Sequence, residues 1–242
     1  MNRFSKLRRS LAIVFFSCGI LVDILFFALL SWPGLEAYDY FTYQPAGAAL
    51  TSLKCPFVLT PHDSGQVTAR FSNPTRLTLT PQFRVLISSP DLFFRTVNSV
   101  PSVAPGETSH VQWAISSDDV VYGRLILVEA YQSPVYGMTD RAGQCGTLWL
   151  GVPQLTGAQI FFSVLAAGLL LTGLGWGLWL AGNRSNQAGR PEDRRPMLAI
   201  SAVVLSGMVA GILGLWVVGV LCLVLSLLLI LSVLGHLAIS RG

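Results

Sequence analysis

The chain has 242 residues, 52% of them hydrophobic and 12% charged, with a formal net charge of +4, whereas soluble proteins carry about 25% charged residues. A freely soluble globule is excluded, because the apolar residues gather in long blocks at both ends of the chain, around a polar, strand-like middle. The excess of positive charge lies beside those blocks, which argues against a nucleic-acid partner.

Residues 1–10 form a basic segment with Arg3, Lys6, Arg8 and Arg9. Residues 11–32 are apolar except for Asp23, and at about 1.5 Å per helical residue they are long enough for a hydrocarbon core of about 30 Å. This is the first predicted transmembrane helix. A cleaved signal peptide is the rival reading, but its apolar region is usually about 7–15 residues long, and Leu35-Glu36-Ala37 is a poor cleavage site. A lipoprotein site at Cys18 is disfavoured by the preceding Phe15-Phe16-Ser17. Asp23 is expected to make an intramembrane polar contact, with Ser201, Ser206 or Ser226 as possible donors. A proton pathway is the alternative, and it normally needs several polar residues in series.

Residues 33–54 make an aromatic-rich connector. Trp32, Tyr38, Tyr40, Phe41 and Tyr43 read as a belt in the headgroup region, with a partner-binding surface, extended by Tyr136, as the alternative. Residues 133–144 read as a second long irregular segment, either of the kind in which binding often sits or, equally well, a linker to the final strand.

Across residues 55–153 the hydrophobic period changes to two, as in Val67, Ala69, Phe71 and in Val111, Trp113, Ile115. Strand-like runs at 55–60, 66–72, 77–88, 92–97, 109–116, 121–131 and 147–152 are separated by turn signals such as Asn73-Pro74 and Pro105-Gly106-Glu107. Seven short strands so spaced predict an extracytoplasmic antiparallel β-sandwich, an all-β immunoglobulin-like domain inserted into a four-helix transmembrane protein.

Asn73-Pro74, a strand pair, and then Val103-Ala104-Pro105-Gly106-Glu107-Thr108 leading into Val111-Gln112-Trp113 resemble the immunoglobulin-like modules of the cell-adhesion-related type on bacterial envelope proteins. The resemblance covers about 80 residues. It implies a fold and an exposed setting, without a ligand. The Cys…Trp…Cys spacing of antibody domains is absent.

Cys55 and Cys145 are the two cysteines of this region, each read as standing at the start of a strand on the oxidising side of the membrane, and a disulfide is expected. A reactive thiol or metal ligand would need neighbours, but neither Cys-x-x-Cys nor His-x-x-x-His occurs. The bridge would pin the membrane-proximal base of the domain. Cys18 and Cys222 read as small core residues within spans.

Three further helices are predicted at 157–181, 197–215 and 217–238, with a cytoplasmic basic loop at 182–196 that carries Arg184, Arg190, Arg194 and Arg195. The break within the last apolar block is placed near Gly211–Gly219, where Gly214-Leu215-Trp216 offers a tight turn with Trp216 at the interface. Small residues at four-residue spacing, Gly173, Gly177 and Ala181 in one helix and Ala202, Ser206, Ala210 and Gly214 beside Gly207 and Gly211 in the next, are expected to pack the two helices together, with a homodimer face as the alternative. The last helix reads as lipid-facing.

Basic residues beside the helix ends, including Arg241, place both termini in the cytoplasm and residues 33–156 outside. The cytoplasmic segments hold nine basic and two acidic residues, against seven basic and nine acidic in 33–156, so the overall charge reports topology. Two lysines among 16 basic residues suggest a GC-rich bacterial genome, and hence a bacterial plasma membrane.

His62, His110 and His236 lie on different predicted elements, and no Gly-x-Ser-x-Gly, His-Glu-x-x-His or Walker pattern occurs. Arg76, Arg84, Arg95 and Arg124 read as solvent-face charges on strands, and His62-Asp63 as a solvated pair. No catalytic, metal or cofactor site is expected. The sequence therefore reads as a non-catalytic membrane accessory, scaffold or binding subunit whose partners are the lipid bilayer and a protein or a second copy. A component of a small-molecule or ion transporter, or of a membrane enzyme complex, is the alternative.

Overall fold

The computed structural model describes residues 3–41, 48–183 and 195–239, and gives the backbone alone for 3–6, 9, 182–183 and 233–239. Tyr43, most of the basic loop and Arg241 therefore lie outside the described residues or their side chains. The elements in order are α1 (Arg3–Tyr40), β1 (Ala48–Ala49), β2 (Val58–Leu59), β3 (Gly65–Ser72), β4 (Phe83–Ser89), β5 (Phe93–Ser99), β6 (Thr108–Ile115), β7 (Leu125–Gln132), β8 (Arg141–Trp149), α2 (Gly157–Asn183), α3 (Arg195–Ile212) and α4 (Trp216–Ile239). They divide into a helical unit, Met1–Ser31 with Phe161–Gly242, and a β unit, Trp32–Ile160.

In the helical unit, Phe16, Ile20, Ile24 and Phe27 recur on α1 at steps of three and four and are buried with Ile200, Val204 and Met208 of α3, the periodicity of one helix face. Leu21, Leu25 and Leu29 occupy the opposite, exposed face. Among the described residues, three helical stretches are long and apolar enough to cross a membrane: Ser10–Tyr40, Gly157–Ala181 and Arg195–Ile212. The apolar stretch Trp216–Ser232 of α4 is shorter. Between α3 and α4, Gly214 adopts φ +73°, while Leu215 N–H donates to Ala210 O at 2.9 Å and Gly214 N–H to Gly211 O at 3.0 Å. These are the paired bonds of a Schellman cap, which favours glycine at this position because the left-handed backbone disfavours a Cβ.

The β unit contains two sheets. The larger has the order β1-β8-β7-β4-β5, with β2 also on β8; the smaller is β3-β6. β1 and β2 run parallel to β8, and the other pairs are antiparallel. Alternation on β3 and β6 sends Val67, Ala69, Phe71, Val111, Trp113 and Ile115 into one cluster with Phe83, Val85, Ile87, Ile126 and Val128 of the larger sheet. Both sheets thus bury a common core. β7 departs from the expected half-buried pattern: it is buried on both faces. Leu125 and Leu127 on its other face pack with Ala37 and Phe41, so the C-terminal turns of α1 cover the sheet where the period-two reading placed solvent.

Several predicted boundaries move for local reasons. α1 continues through Pro33 to Tyr40, and Trp32 Nε1 donates to Glu36 at 3.1 Å one turn later. The strand read at 77–88 begins only at Phe83, because residues before it are engaged with buried Asn73, whose amide donates to Leu77, Val103 and Ala104 carbonyls while its Oδ1 accepts from Thr75. Gly106 N–H returns to Asn73 O at 2.9 Å, so the Asn-Pro and Pro-Gly turns are stitched together. The segment read as an irregular loop at 133–144 becomes strand at Arg141.

Candidate functional site

In the helical unit the polar centre is Asp23, which is 1% exposed. Thr172 Oγ1 on α2 donates to its Oδ2 at 2.9 Å. The serines expected to serve it are engaged elsewhere: Ser201 accepts from Trp176 Nε1 at 3.1 Å, and Ser206 and Ser226 donate to the carbonyls of Ala202 and Cys222, one turn back on their own helices. Asp23 Oδ1 is buried and meets no hydrogen-bond donor among the described residues. It lies against Gly168, where a Cβ would stand 2.0 Å from it.

The small residues that let α1 and α2 approach are Gly168, Thr172 and Gly175, spaced four and three apart. A Cβ on Gly175 would meet the Phe16 backbone at 2.6 Å, and one on Gly19 would meet Thr172 at 2.4 Å. Gly173 and Gly177, the expected packing pair, have nothing within 4 Å. They point away because a helix advances about 100° per residue, so a stripe shifted by one or two positions faces elsewhere. On α3, Gly207 packs against Phe27 and Cys222 and Gly211 against Leu30. These contacts go to α1 and α4, which corrects the expected pairing of the α2 and α3 stripes. Ala210 is buried, while Ala202 and Ser206 are exposed. Ser206 and Ala210 line a shallow groove of about 370 Å³ with Leu205, Val209, Leu213 and Leu215. Gly214 caps α3 and has nothing within 4 Å.

In the β unit, Cys55 and Cys145 are joined, with Cα atoms 5.8 Å apart. The bridge is not at the base. Cys145 is in the middle of β8, opposite Val128 of β7. Cys55 lies in a segment that changes sheets: Lys54 bridges Thr68 of β3, and Val58–Leu59 then pair with β8. The disulfide therefore ties this crossing segment to the centre of the larger sheet. Cys222 packs in the helical unit, whereas Cys18 is exposed on α1.

The expected aromatic surface divides. Phe41 is buried, and Tyr40 stacks on Phe93 at 4.3 Å and 14° while its hydroxyl donates to the Phe93 carbonyl. Both are therefore packed within the β unit. Tyr38 is exposed. Tyr136 is exposed in the β7–β8 turn, whose bridge joins Val135 and Met138, at the opposite end of the sheet from Phe93.

Arg95 is not a plain solvent-face charge. It pairs in register with inward-facing Ile87, and its Nε and Nη2 donate to the two oxygens of buried Asp119 at 2.6 and 3.0 Å. Nη2 also donates to Ala114 O at 2.8 Å. The Asp119 hydrogen bonds raise the guanidinium pKa further, against the effect of burial. Four positions along β5, Ser99 accepts from Trp113 Nε1 at 3.0 Å, so the edge strand of one sheet is bonded to β6 of the other. Arg124 lies in a turn, its guanidinium 5.6 Å from the Trp32 ring centroid, and Arg76 lies in a bend.

Asp63 also departs from the solvated reading. Its Oδ2 accepts from Thr60 N, Thr60 Oγ1 and Gly157 N at 2.9, 2.9 and 2.8 Å. Burial acts to raise this carboxyl, but the three hydrogen bonds and the charge of neighbouring His62 outweigh it and hold the pKa below 3.8. Thr156 and Gln159 complete the helix start reciprocally, with Gln159 N to Thr156 Oγ1 at 3.2 Å and Thr156 N to Gln159 Oε1 at 3.0 Å. The Thr-x-x-Gln capping-box signature stands in the sequence directly before the second apolar block. By contrast, Glu129 is buried under the C-terminal turns of α1 beside Gln144, which donates to it at 3.0 Å. Burial raises its pKa above 4.5, although the Gln144 bond and the charge of Arg84 oppose this.

Among the described residues, no group of three or more His, Cys, Asp or Glu side chains converges as a metal site. His62 and His110 are exposed. No family model matches the chain, and no curated protein matches it. Among solved structures the chain is similar to the β-glucosidase of Listeria innocua. A point mutant in complex with laminaribiose shares 12% identity at a TM-score of 0.29, covering 40% of this chain and 15% of that one. The complex with isofagomine shares 12% at 0.29, covering 41% and 16%, and the complex with glucose 14% at 0.26, covering 40% and 15%. The matched region thus spans about 15% of the enzyme's length.

Proposed function

We propose that the chain is a non-catalytic, four-span integral membrane subunit. It holds an immunoglobulin-like β unit at the extracytoplasmic face of a bacterial plasma membrane, where that unit serves a protein partner or a second copy. The observation that carries this reading is the use made of polar groups among the helices. Asp23 with Thr172 and Trp176 with Ser201 join neighbouring helices, and Ser206 and Ser226 bond their own backbones. These groups act as structural joints.

Three helical stretches of membrane-crossing length and the basic segments at both cytoplasmic positions support the topology. The two sheets around one core, the segment that changes sheets at Cys55 and the stitched Asn73 and Pro105-Gly106 turns support the immunoglobulin-like reading. A transporter component is the second reading, favoured by the unmatched Oδ1 of Asp23.

Two measurements test the proposal. With single cysteines in a background where native free thiols are removed, an impermeant thiol reagent should label Ser102→Cys and leave Ser185→Cys unlabelled in intact cells. Native purification with cross-linking and mass spectrometry should recover a partner or a second copy at fixed stoichiometry. A lone monomer, or flux through vesicles lost equally in Asp23→Asn and Asp23→Leu, would overturn it.

A further inference from the structure

One end of the β unit carries both of its chain ends. Trp32, its first residue, lies over Arg124, and the last turn before Ile160 is held where Gly157 N–H meets Asp63. The same end holds the β4–β5 turn and the turn between Val121 and Leu125, as the pairing of β4 with β5 and β7 requires. These turns present Leu92 at 73%, Phe93 at 54% and Tyr122 at 62% exposure, with Trp32 and Leu155 also exposed. Phe93 and Tyr122 both have left-handed backbones, at φ 66° and 52°, a conformation that is unfavourable for a residue with a Cβ. Both rings pack about Tyr40, which aims them while leaving more than half of each uncovered. Fold stability alone would favour glycine or asparagine at such positions.

We propose that this end of the β unit seats in the headgroup–acyl boundary of the lipid bilayer, with Leu92, Phe93 and Tyr122 inserted and Trp32 and Leu155 at the rim. The occupant follows from connectivity: the chain passes from Trp32 directly into the apolar part of α1 and from Ile160 into that of α2, both of membrane-crossing length. This end therefore lies within a few residues of whatever surface those helices enter. Aromatic rings with polar tips and leucines are the side chains such a boundary accepts. Arg124 is outweighed by exposed Asp91 and Asp118 in the adjoining turns, so no anionic lipid is called for and a zwitterionic surface suffices. The seat rests on the membrane-spanning reading of the helices.

The test uses the full chain carrying Cys18→Ala and Cys222→Ala, with a nitroxide at Leu92→Cys, Tyr122→Cys or Leu155→Cys, reconstituted into phosphatidylcholine vesicles. Leu25→Cys on the exposed face of α1 and Leu77→Cys at the far end of the β unit serve as references. Labels at 92, 122 and 25 should collide preferentially with oxygen and several-fold less with a water-soluble nickel chelate than the label at 77. Nickel-accessible labels at 92 and 122 beside an oxygen-accessible label at 25 would overturn the seat and leave the membrane reading standing. Labels at 92 and 122 shielded from both reagents would assign the surface to a protein and also overturn it. A nickel-accessible label at 25 would overturn the membrane reading and the seat together. Should Tyr122→Cys not fold, positions 92 and 155 carry the measurement.

Discussion

The carboxylate of Asp63 accepts the backbone N–H of Gly157 at 2.8 Å across 94 positions of sequence. A loop that precedes β3 thus fills the first donor position of α2, a place where negative charge meets the positive end of the helix dipole. The same oxygen closes its own turn on Thr60.

Asp63→Ala should therefore destabilise the full chain in detergent by about 1–2 kcal/mol, the scale of a lost N-terminal cap. A carboxyl held below 3.8 stabilises the fold above that pH and loses its contribution as pH falls through the folded-state value. The gap in thermal midpoint between wild type and variant should be full at pH 6 and close below about pH 4. A gap independent of pH would show that the carboxylate charge is not what matters.

Arg95→Ala leaves the buried carboxylate of Asp119 with its strongest partner gone. The expected loss is about 2–3 kcal/mol, below the roughly 3–5 of a fully enclosed pair, because the Arg95 side chain is 38% exposed. Arg95→Lys should recover only part of it, since one ammonium cannot reproduce the fork to both carboxylate oxygens and Ala114 O. Urea titration of the three forms decides this. Full recovery by lysine would reduce the contact to a simple charge pair.

Glu129 has the opposite sign. Its raised pKa means that the folded state holds the proton more tightly than the unfolded one, so its contribution is full below about pH 4.5 and is lost as pH rises through the folded value. Glu129→Gln keeps an acceptor for Gln144 and removes the buried charge. It should raise stability at pH 7 by on the order of 1 kcal/mol and change little at pH 4. A destabilised Gln variant at pH 7 would count against this reading.

At the α1–α2 contact, Gly168→Ala drives a methyl onto Asp23 Oδ1 and should cost about 1–3 kcal/mol, as overpacking does. Gly173→Ala and Gly177→Ala meet open space and should leave the detergent melting temperature within about a degree, since nothing has to move. Combining Gly168→Ala with Asp23→Ala should restore part of the loss by making room. Strict additivity of the two would remove Asp23 from the contact.

The block composition, the change of period from helical to two and a break between Gly211 and Gly219 are local properties, and they were legible in the chain as four apolar helical stretches around a β region, while the cap bonds alone set the turn at Gly214. So was the cysteine pair, because two cysteines in one polar region have few alternatives. The face on which a helix packs was not legible. Gly168, Thr172 and Gly175 form as plain a small-residue row as Gly173 and Gly177, and the choice between them depends on where Phe16, Gly19 and Asp23 arrive from α1. The partner of Asp23 was hidden for the same reason: four hydroxyl-bearing residues offered equal chemistry, and Trp176 and the helix backbones claimed three of them.

In the β unit, alternation marked which residues of β3 and β6 turn inward, because period two is a property of the strand itself. It could not show that β7 is buried on both faces, since the cover is supplied by Ala37 and Phe41, nearly 90 residues earlier. Alternation does separate Arg95, which shares its strand face with Phe93 and Val97, from Arg70, which faces away from Ala69 and Phe71, but it could not supply the buried carboxylate that Arg95 reaches. Arg95 pairs with Ile87 on the inner face and reaches Asp119, and Arg70 sits opposite exposed His110. Composition and periodicity decide what each segment becomes, because they act through neighbours in the chain. Which polar group finds a partner, and which aromatic ring is left exposed, is decided only when distant segments meet, because desolvation and hydrogen bonding depend on what the rest of the fold brings alongside.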